Sequence, residues 1–319
     1  MTHDARGSSL PSAWPAQVQA ITFVSSADGS EQPAAFYHSG APGVKPLLVA
    51  LHTWSYDYDQ EMSIAYAEWC IAHDWILIAP SFRGPNNRPA ATGSELAVQN
   101  VLDAVDYAEA HAPVDPDRVY LVGVSGGGHM ALLVAGRAPS RWTAVSAWVP
   151  ITDLAAWHAE CRAASRPYAD DLERACGGTP SGGAPGESPA VDTQYRARSP
   201  LTYLHPGLRT PLDINAGNLD GHTGSGHSGS VPISHTLRAF NAVAAPDDRI
   251  GDADIAYFVE QAAVPPGLQD EWPDPLYGDK RVLFRRSSNN ARVTIFDGGH
   301  EIIYEAALNW LAGNVKRDA

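Results

Sequence analysis

The chain has 319 residues, 44% of them hydrophobic and 18% charged, which favours a packed globule over disorder. Its formal net charge of -14 disfavours nucleic acid and anionic membranes as partners and weakly favours neutral or cationic substrates. No apolar run reaches the roughly 18 residues that a membrane-spanning helix needs.

In chain order, the opening MTHDARGSSLPSAWP lacks the basic region and apolar stretch of a secretory signal. Together with three cysteines, Cys70, Cys161 and Cys176, which fit a reducing compartment, this makes a cytoplasmic location the expectation. Cys161 and Cys176 could pair across an intervening segment if their geometry allowed. Ile21 to Ser26 and Ala34 to His38 read as a hairpin around the turn Ala27-Asp28-Gly29-Ser30. Strands then follow at 46–52, 75–80, 119–124 and 144–149, alternating with helices at 59–72, 95–111 and 128–137. Such alternation predicts an α/β architecture, a mostly parallel central sheet with helices on both faces. Residues 151 to 200 break the rhythm and read as a lid-like insertion or pocket wall, with an evident loop at Ser181-Gly182-Gly183-Ala184-Pro185-Gly186. The alternation resumes with strand 212–217, helix 232–243, strand 293–297 and helix 301–312, while 246 to 292, with Trp272 and Tyr277, reads as irregular. The whole chain, 1–319, is expected to form one catalytic domain, with residues 1–44 as an N-terminal extension.

The most informative stretch is Val119 to Gly136. An apolar β-branched run stops at Ser125, three glycines follow, and a helix-forming run begins at His129. Gly123-Val124-Ser125-Gly126-Gly127 is a G-x-S-x-G pattern in its expected strand–turn–helix setting. The turn lifts the serine hydroxyl clear of the sheet, leaves room only for glycine beside it, and aims helix N–H groups at any oxyanion formed there. Ser125 is therefore the candidate nucleophile. A nucleophilic serine needs a base, and the base needs an orienting acid. His300 lies on a turn between the last strand and the last helix, where the base belongs. Asp220 lies past the carboxyl end of strand 212–217 and is the candidate acid, with Asp153 as runner-up and Asp213, inside the strand, read as structural. Oxyanion donors are expected from Gly126 and, in the loop His52-Thr53-Trp54-Ser55, from Trp54.

These residues allow a resemblance to be named. Asp115-Pro116-Asp117-Arg118-Val119 before the elbow, Cys176 to Pro180, Arg198 to Leu201, Thr210-Pro211-Leu212, Gly217 to Asp220 with Val231-Pro232, and Gly299-His300 before Trp310-Leu311 resemble the catalytic domain of the prolyl-oligopeptidase type of α/β-hydrolase. The resemblance covers roughly residues 45 to 312 and implies the α/β-hydrolase fold and a serine peptidase or esterase. Two departures matter. Residues Gly221 to Ser230, with GHTGSGHSGS reading as a small duplication, intervene between the acid and Val231-Pro232. The roughly forty residues before the first core strand are too few for the propeller that restricts entry in peptidase members.

The remaining chemistry-bearing residues attract simpler readings. Asp220, His222, His227 and His235 lack the spacing of a zinc site, so no metal or cofactor is expected. His129 is read as a packing or capping residue, His52 as a prop for the oxyanion loop, and Arg83 and Asn86 as surface-loop residues with reach toward the pocket mouth. Trp54, Tyr56, Trp157 and Tyr168 are candidates to stack on substrate rings, with core packing an equal alternative; the first three are the preferred substrate-binding residues. The expected activity is hydrolysis of a small-molecule ester, including acylated carbohydrate or aromatic esters, through an acyl-enzyme. An aminopeptidase or oligopeptidase, with Asp57, Asp59 and Glu61 receiving a substrate amine, is the alternative.

Overall fold

Four strands are buried at every position: β3 (Lys45–Leu51), β4 (Ile76–Pro80), β6 (Ala144–Trp148) and β7 (Leu212–Gly217). Strands buried along their whole length occur where both faces of a parallel sheet are covered. In the computed structural model, residues 10–181, 188–224, 227–228, 230–269 and 273–316 are described. The other strands are β1 (Gln19–Val24), β2 (Glu31–Tyr37), β5 (Val114–Val124), β8 (Thr223–Gly224), β9 (His227–Ser228), β10 (Val282–Ser288) and β11 (Ala291–Phe296). Nine of these strands form one sheet, in the order β1-β2-β4-β3-β5-β6-β7-β11-β10. Pairing is parallel from β4 through β3, β5, β6 and β7 to β11. The antiparallel hairpin β1/β2 closes one edge and β10 the other. This is the α/β-hydrolase fold expected from the alternation.

The helices are α1 (Ile64–His73), α2 (Glu95–His111), α3 (Gly126–Arg137), α4 (Leu154–Ala163), α5 (Tyr168–Cys176), α6 (Pro189–Ala197), α7 (Ser234–Val243), α8 (Asp252–Gln261) and α9 (Tyr304–Ala312). Their ends follow ordinary capping chemistry. Ser94 Oγ accepts the Ala97 N–H at 3.1 Å to start α2. Asp74, at φ 57°, ends α1 in the left-handed conformation.

Several boundaries differ from those read off the sequence. The helix expected over 59–72 is a short 3-10 turn, Glu61–Ser63, continued by α1. The helix after the elbow begins at Gly126, because glycine's low helix propensity is overridden by tight packing there. The strand before the elbow reaches back to Val114 through Asp115-Pro116-Asp117, whose turn-like composition masked it. The stretch 246–292 is not irregular: it holds α8 and the edge strand β10, whose alternating burial is that of a strand with one wet side. The last helix starts at Tyr304, three residues after its expected beginning. Trp272, most of the 181–186 loop and part of the 221–230 doubling lie outside the described residues; within that doubling, β8 and β9 pair antiparallel.

Between residues 151 and 200 the helices α4, α5 and α6 form a small layer with its own apolar core. Leu154, Trp157, Cys161, Leu172, Cys176 and Tyr195 pack together there, and Trp54 and Val231 from the sheet side join them. Cys161 and Cys176 are both free thiols in this layer, and burial pushes Cys161 up to about 12 and Cys176 to about 11.

Asp213, fully buried in β7, accepts from Ser146 Oγ at 3.0 Å, Asn215 Nδ2 at 2.8 Å and Arg292 Nε at 2.8 Å. It ties β6, β7 and β11 together, so its role is structural. Asp213→Ala would leave the Arg292 guanidinium without its counter-ion and should lower stability by about 3 kcal/mol, read as a shift in the urea denaturation midpoint.

Candidate active site

The turn after β5 is forced by two elements meeting with no linker. β5 ends at Val124 and α3 starts at Gly126, so Ser125 alone reverses the chain, at φ 58° and ψ -115°. A conformation of this kind costs about 1–3 kcal/mol and survives only where its surroundings over-determine it. Here the Ser125 N–H donates to the Trp148 carbonyl and the Ser125 carbonyl accepts the His129 N–H, both at 2.8 Å. The serine is 9% exposed.

The glycines that follow are required by close approach. A Cβ on Gly126 would lie 2.6 Å from both the N and Cα atoms of Trp54, and one on Gly127 would lie 2.5 Å from the Leu51 carbonyl oxygen. The start of α3 therefore presses directly on the loop after β3, and the Trp54 nitrogen faces Gly126 beside Ser125. That loop is pinned from behind. Gln60 Oε1 accepts from the Thr53 N–H and hydroxyl, both at 3.0 Å, and the Trp54 carbonyl accepts the Asn86 N–H at 2.8 Å. Among the described residues the Trp54 N–H has no acceptor, and the Gly126 N–H, in the first turn of a helix, has no intrahelical one.

Two histidines next to the elbow are held neutral. His52 stacks on Phe82 with ring centres 3.7 Å apart and bonds the Thr53 carbonyl through Nδ1 at 2.9 Å; burial pushes its pKa down. His129 bonds the Arg198 carbonyl through Nε2 at 2.7 Å, and burial pushes its pKa to about 4. Both act as props for loops.

The loops after β7 and β11 are stitched to one another. β7 and β11 are adjacent and in parallel register, with Gly217 beside Phe296. Beyond them the Asn218 N–H donates to the Phe296 carbonyl at 2.9 Å, the Leu219 N–H to the Gly298 carbonyl at 2.9 Å, and Asn218 Oδ1 accepts the Gly298 N–H at 3.1 Å. The stitching brings Asp220 Oδ2 to 2.8 Å from His300 Nδ1. The other carboxylate oxygen accepts the Gly221 N–H at 2.9 Å and the Val231 N–H at 3.2 Å. On the far side of the imidazole, Nε2 lies 3.3 Å from Ser230 Oγ. Among the described residues no hydrogen bond joins Ser125 to His300; such bonds are often long before substrate arrives.

Asp153, the runner-up acid, is occupied elsewhere: its carboxylate accepts the Ala155 and Ala156 N–H groups and caps α4. Trp54 is 3% exposed and meets Trp157 edge-on at 4.7 Å, and Trp157 stacks on Tyr168 at 5.2 Å. The Trp54 indole N–H donates to Asp171 at 3.1 Å and the Trp157 indole N–H to the Ser230 carbonyl at 2.9 Å. Tyr56 stands apart from that stack and is 63% exposed. Arg83 points away from the site region, pairing with Asp28 in the β1–β2 turn at 2.8 Å. Among the described residues no group of three or more His, Cys, Asp or Glu is arranged to hold a metal ion, and no helix is long and apolar enough to cross a membrane. Asn218 and Ser230 were missed in the sequence, and Asn86, read there as a surface-loop residue, is fully buried behind Trp54. Only knowing that β7 and β11 are neighbours gives Asn218 its meaning.

Residues 94–242 match the prolyl oligopeptidase family. The chain is 25% identical over 228 residues to acylamino-acid-releasing enzyme 2 of Oryza sativa subsp. japonica, covering 68% of this chain and 28% of that protein. Oligopeptidase B from Leishmania major has a similar fold, with a TM-score of 0.59 at 13% identity over 92% of this chain and 35% of that one. A thermostable esterase has a TM-score of 0.51 at 14% identity, over 94% of this chain and 63% of that one. The chain thus spans about a quarter of the length of the curated relative. Sheet order and elbow are those of the α/β-hydrolase fold, and the match over residues 94–242 is a similarity to the prolyl oligopeptidase family.

Two outcomes test these placements. Asp220→Asn should slow turnover by roughly 10⁴-fold, the scale of a triad carboxylate replaced by its amide. Asp153→Asn should leave turnover near that of the unmodified protein and cost about 1 kcal/mol of stability at most; full activity in the first variant with loss in the second would transfer the acid role to Asp153.

His129 predicts a pH effect on stability. Its folded pKa lies below the unfolded value, so the unfolded chain takes up the proton first. Stability is then full above the unfolded value of 6.5 and is lost as pH falls toward about 4. His129→Gln, which can still donate to the Arg198 carbonyl, should flatten the denaturation midpoint between pH 6.5 and 4.

Proposed function

We propose that the protein is a serine hydrolase, a carboxylesterase in which Ser125 is the nucleophile, His300 the general base and Asp220 the acid that orients it. The observation that carries the reading is the approach of the Trp54 nitrogen to Gly126 at the strained serine. It offers two unpaired N–H donors where an acyl oxygen would gain charge, with a carboxylate–imidazole pair on the neighbouring loops. Ser125 Oγ attacks an ester carbonyl and passes its proton to His300 Nε2. The tetrahedral oxyanion is held by the N–H groups of Trp54 and Gly126, and Asp220 stabilises the imidazolium through Nδ1. The imidazolium protonates the departing alkoxide. A water deprotonated by His300 then attacks the acyl-enzyme, and the carboxylic acid leaves with Ser125 regenerated.

Esters are favoured because an alkoxide departs with less exact protonation than an amine does. The aromatic layer beside Ser125, with Trp54 backed by Trp157 and Tyr168, suits an apolar or aromatic acyl group. Tyr56, two residues beyond Trp54 and exposed to solvent, is the residue proposed for the alcohol side, with an acylated carbohydrate or phenol as its class. Peptidase action is the second reading. It draws on the acylamino-acid-releasing relative and the oligopeptidase fold neighbour.

Hydrolysis of p-nitrophenyl acetate, butyrate and octanoate, set beside aminoacyl- and acetylaminoacyl-p-nitroanilides, separates the two. The esters should be cleaved faster, with no effect of chelator, and Ser125→Ala should be inert to substrates and to a fluorophosphonate while keeping its circular dichroism. Faster cleavage of any anilide than of every ester would establish the peptidase instead.

A further inference from the structure

The ten residues between the acid and Val231-Pro232 end at Ser230, and Ser230 is built into the site from three directions. Its hydroxyl oxygen lies 3.3 Å from His300 Nε2. Its carbonyl accepts the Trp157 indole N–H at 2.9 Å, which fixes it to α4 of the helical layer. The next residue, Val231, donates its N–H to Asp220 Oδ1 at 3.2 Å. A single dipeptide therefore touches the acid, the base and the layer over the site.

The chemistry at Nε2 gives the hydroxyl a task. With Asp220 on Nδ1, the neutral ring carries its proton there and presents a lone pair at Nε2. Ser230 can donate to that lone pair in the resting protein and, by rotating its hydroxyl, accept the Nε2–H once the ring is protonated. The second bond is charge-assisted and about twice as strong as the first. We propose that Ser230 is a positioning residue for His300: it holds the imidazole in line while Ser125 is disengaged, and favours the imidazolium through which acyl transfer passes. The proposal rests on the assignment of Ser125 and His300 made above. It also links the helical layer to the base, since Trp157 sets where the hydroxyl stands.

Among the described residues, Asp220 sits on Nδ1 and His222 follows it on the same loop, while on the ring's own loop Glu301 pairs with Lys280 at 2.9 Å and Asp297 with Arg281 at 3.1 Å. All are untouched in the variants used for the test, so a shift reports on Ser230.

The experiment is the pH dependence of Ser125 inactivation by a fluorophosphonate, for the unmodified protein, Ser230→Ala and Ser230→Thr. Because the hydroxyl favours the protonated ring, its loss should move the acid limb of the profile down by about half a pH unit. Ser230→Thr, which keeps the hydroxyl, should leave the limb in place. Trp157→Phe, which frees the Ser230 carbonyl but keeps the hydroxyl, should move it in the same direction by less, and serves if Ser230→Ala does not fold. An acid limb unmoved or raised in Ser230→Ala, or moved equally in Ser230→Thr, overturns the proposal while leaving the nucleophile assignment intact. Labelling of Ser125→Ala would instead remove that assignment, and the Ser230 role with it.

Discussion

The structure depends on one strained residue. Ser125 sits at φ 58° because the buried end of β5 runs directly into a helix, and nothing of its own relieves the strain. The neighbours hold it. Trp148 at the end of β6 accepts its N–H, and its carbonyl begins the hydrogen bonding of α3. Val149, the residue after β6, is itself at φ 45°, unusual for a β-branched side chain, and its N–H is bound to the Asn215 carbonyl at 2.7 Å. Strain thus recurs along the carboxyl edge of the sheet. A wide parallel sheet with buried strands can carry it because distortion at one strand end would break pairing with the next.

The same edge explains how distant residues meet. Asp220 and His300 are 80 positions apart, yet their loops leave adjacent strands at matching register. Asn218 then locks one loop to the other twice, its N–H donating to the Phe296 carbonyl and its side-chain oxygen accepting the Gly298 N–H. The loop after β3 meets the start of α3 because β3 and β5 pair in parallel, Leu51 beside Gly123. Open α/β sheets collect their chemistry at this edge for that reason: every parallel strand delivers its next loop to the same side.

The helical layer couples to this frame through polar bonds made by aromatic residues. Trp54 reaches Asp171 and Trp157 reaches Ser230, so two indole N–H groups cross from sheet loop to layer and from layer to insertion. Burial of Trp157 and near-burial of Trp54 make them walls fixed in place, with their polar ends satisfied. Burial raises the Asp171 carboxyl while the Trp54 N–H opposes that shift, which marks how closely the layer is pressed onto the loop.

The sequence by itself determined the alternation of strands and helices, the elbow at Ser125, and the residues that end at the carboxyl edge, His300 and Asp220 among them. Each is a local property: apolar runs of the right length, glycine where a chain must turn, polar residues just past a strand. The helix α8 was hidden because it sits in a stretch broken by Pro246, Pro265 and Pro266, and strand β10 because it is a half-wet edge strand rich in Arg and Ser. Tertiary structure alone decided that Asp220, and not Asp153, faces the imidazole. Both follow strands, but Asp153 finds helix N–H groups within its own next turn, whereas Asp220 is carried to His300 by the pairing of β7 with β11. It alone also decided that Ser230 stands at Nε2, because that contact joins an insertion to a loop 70 positions away, and no spacing rule reaches across a sheet.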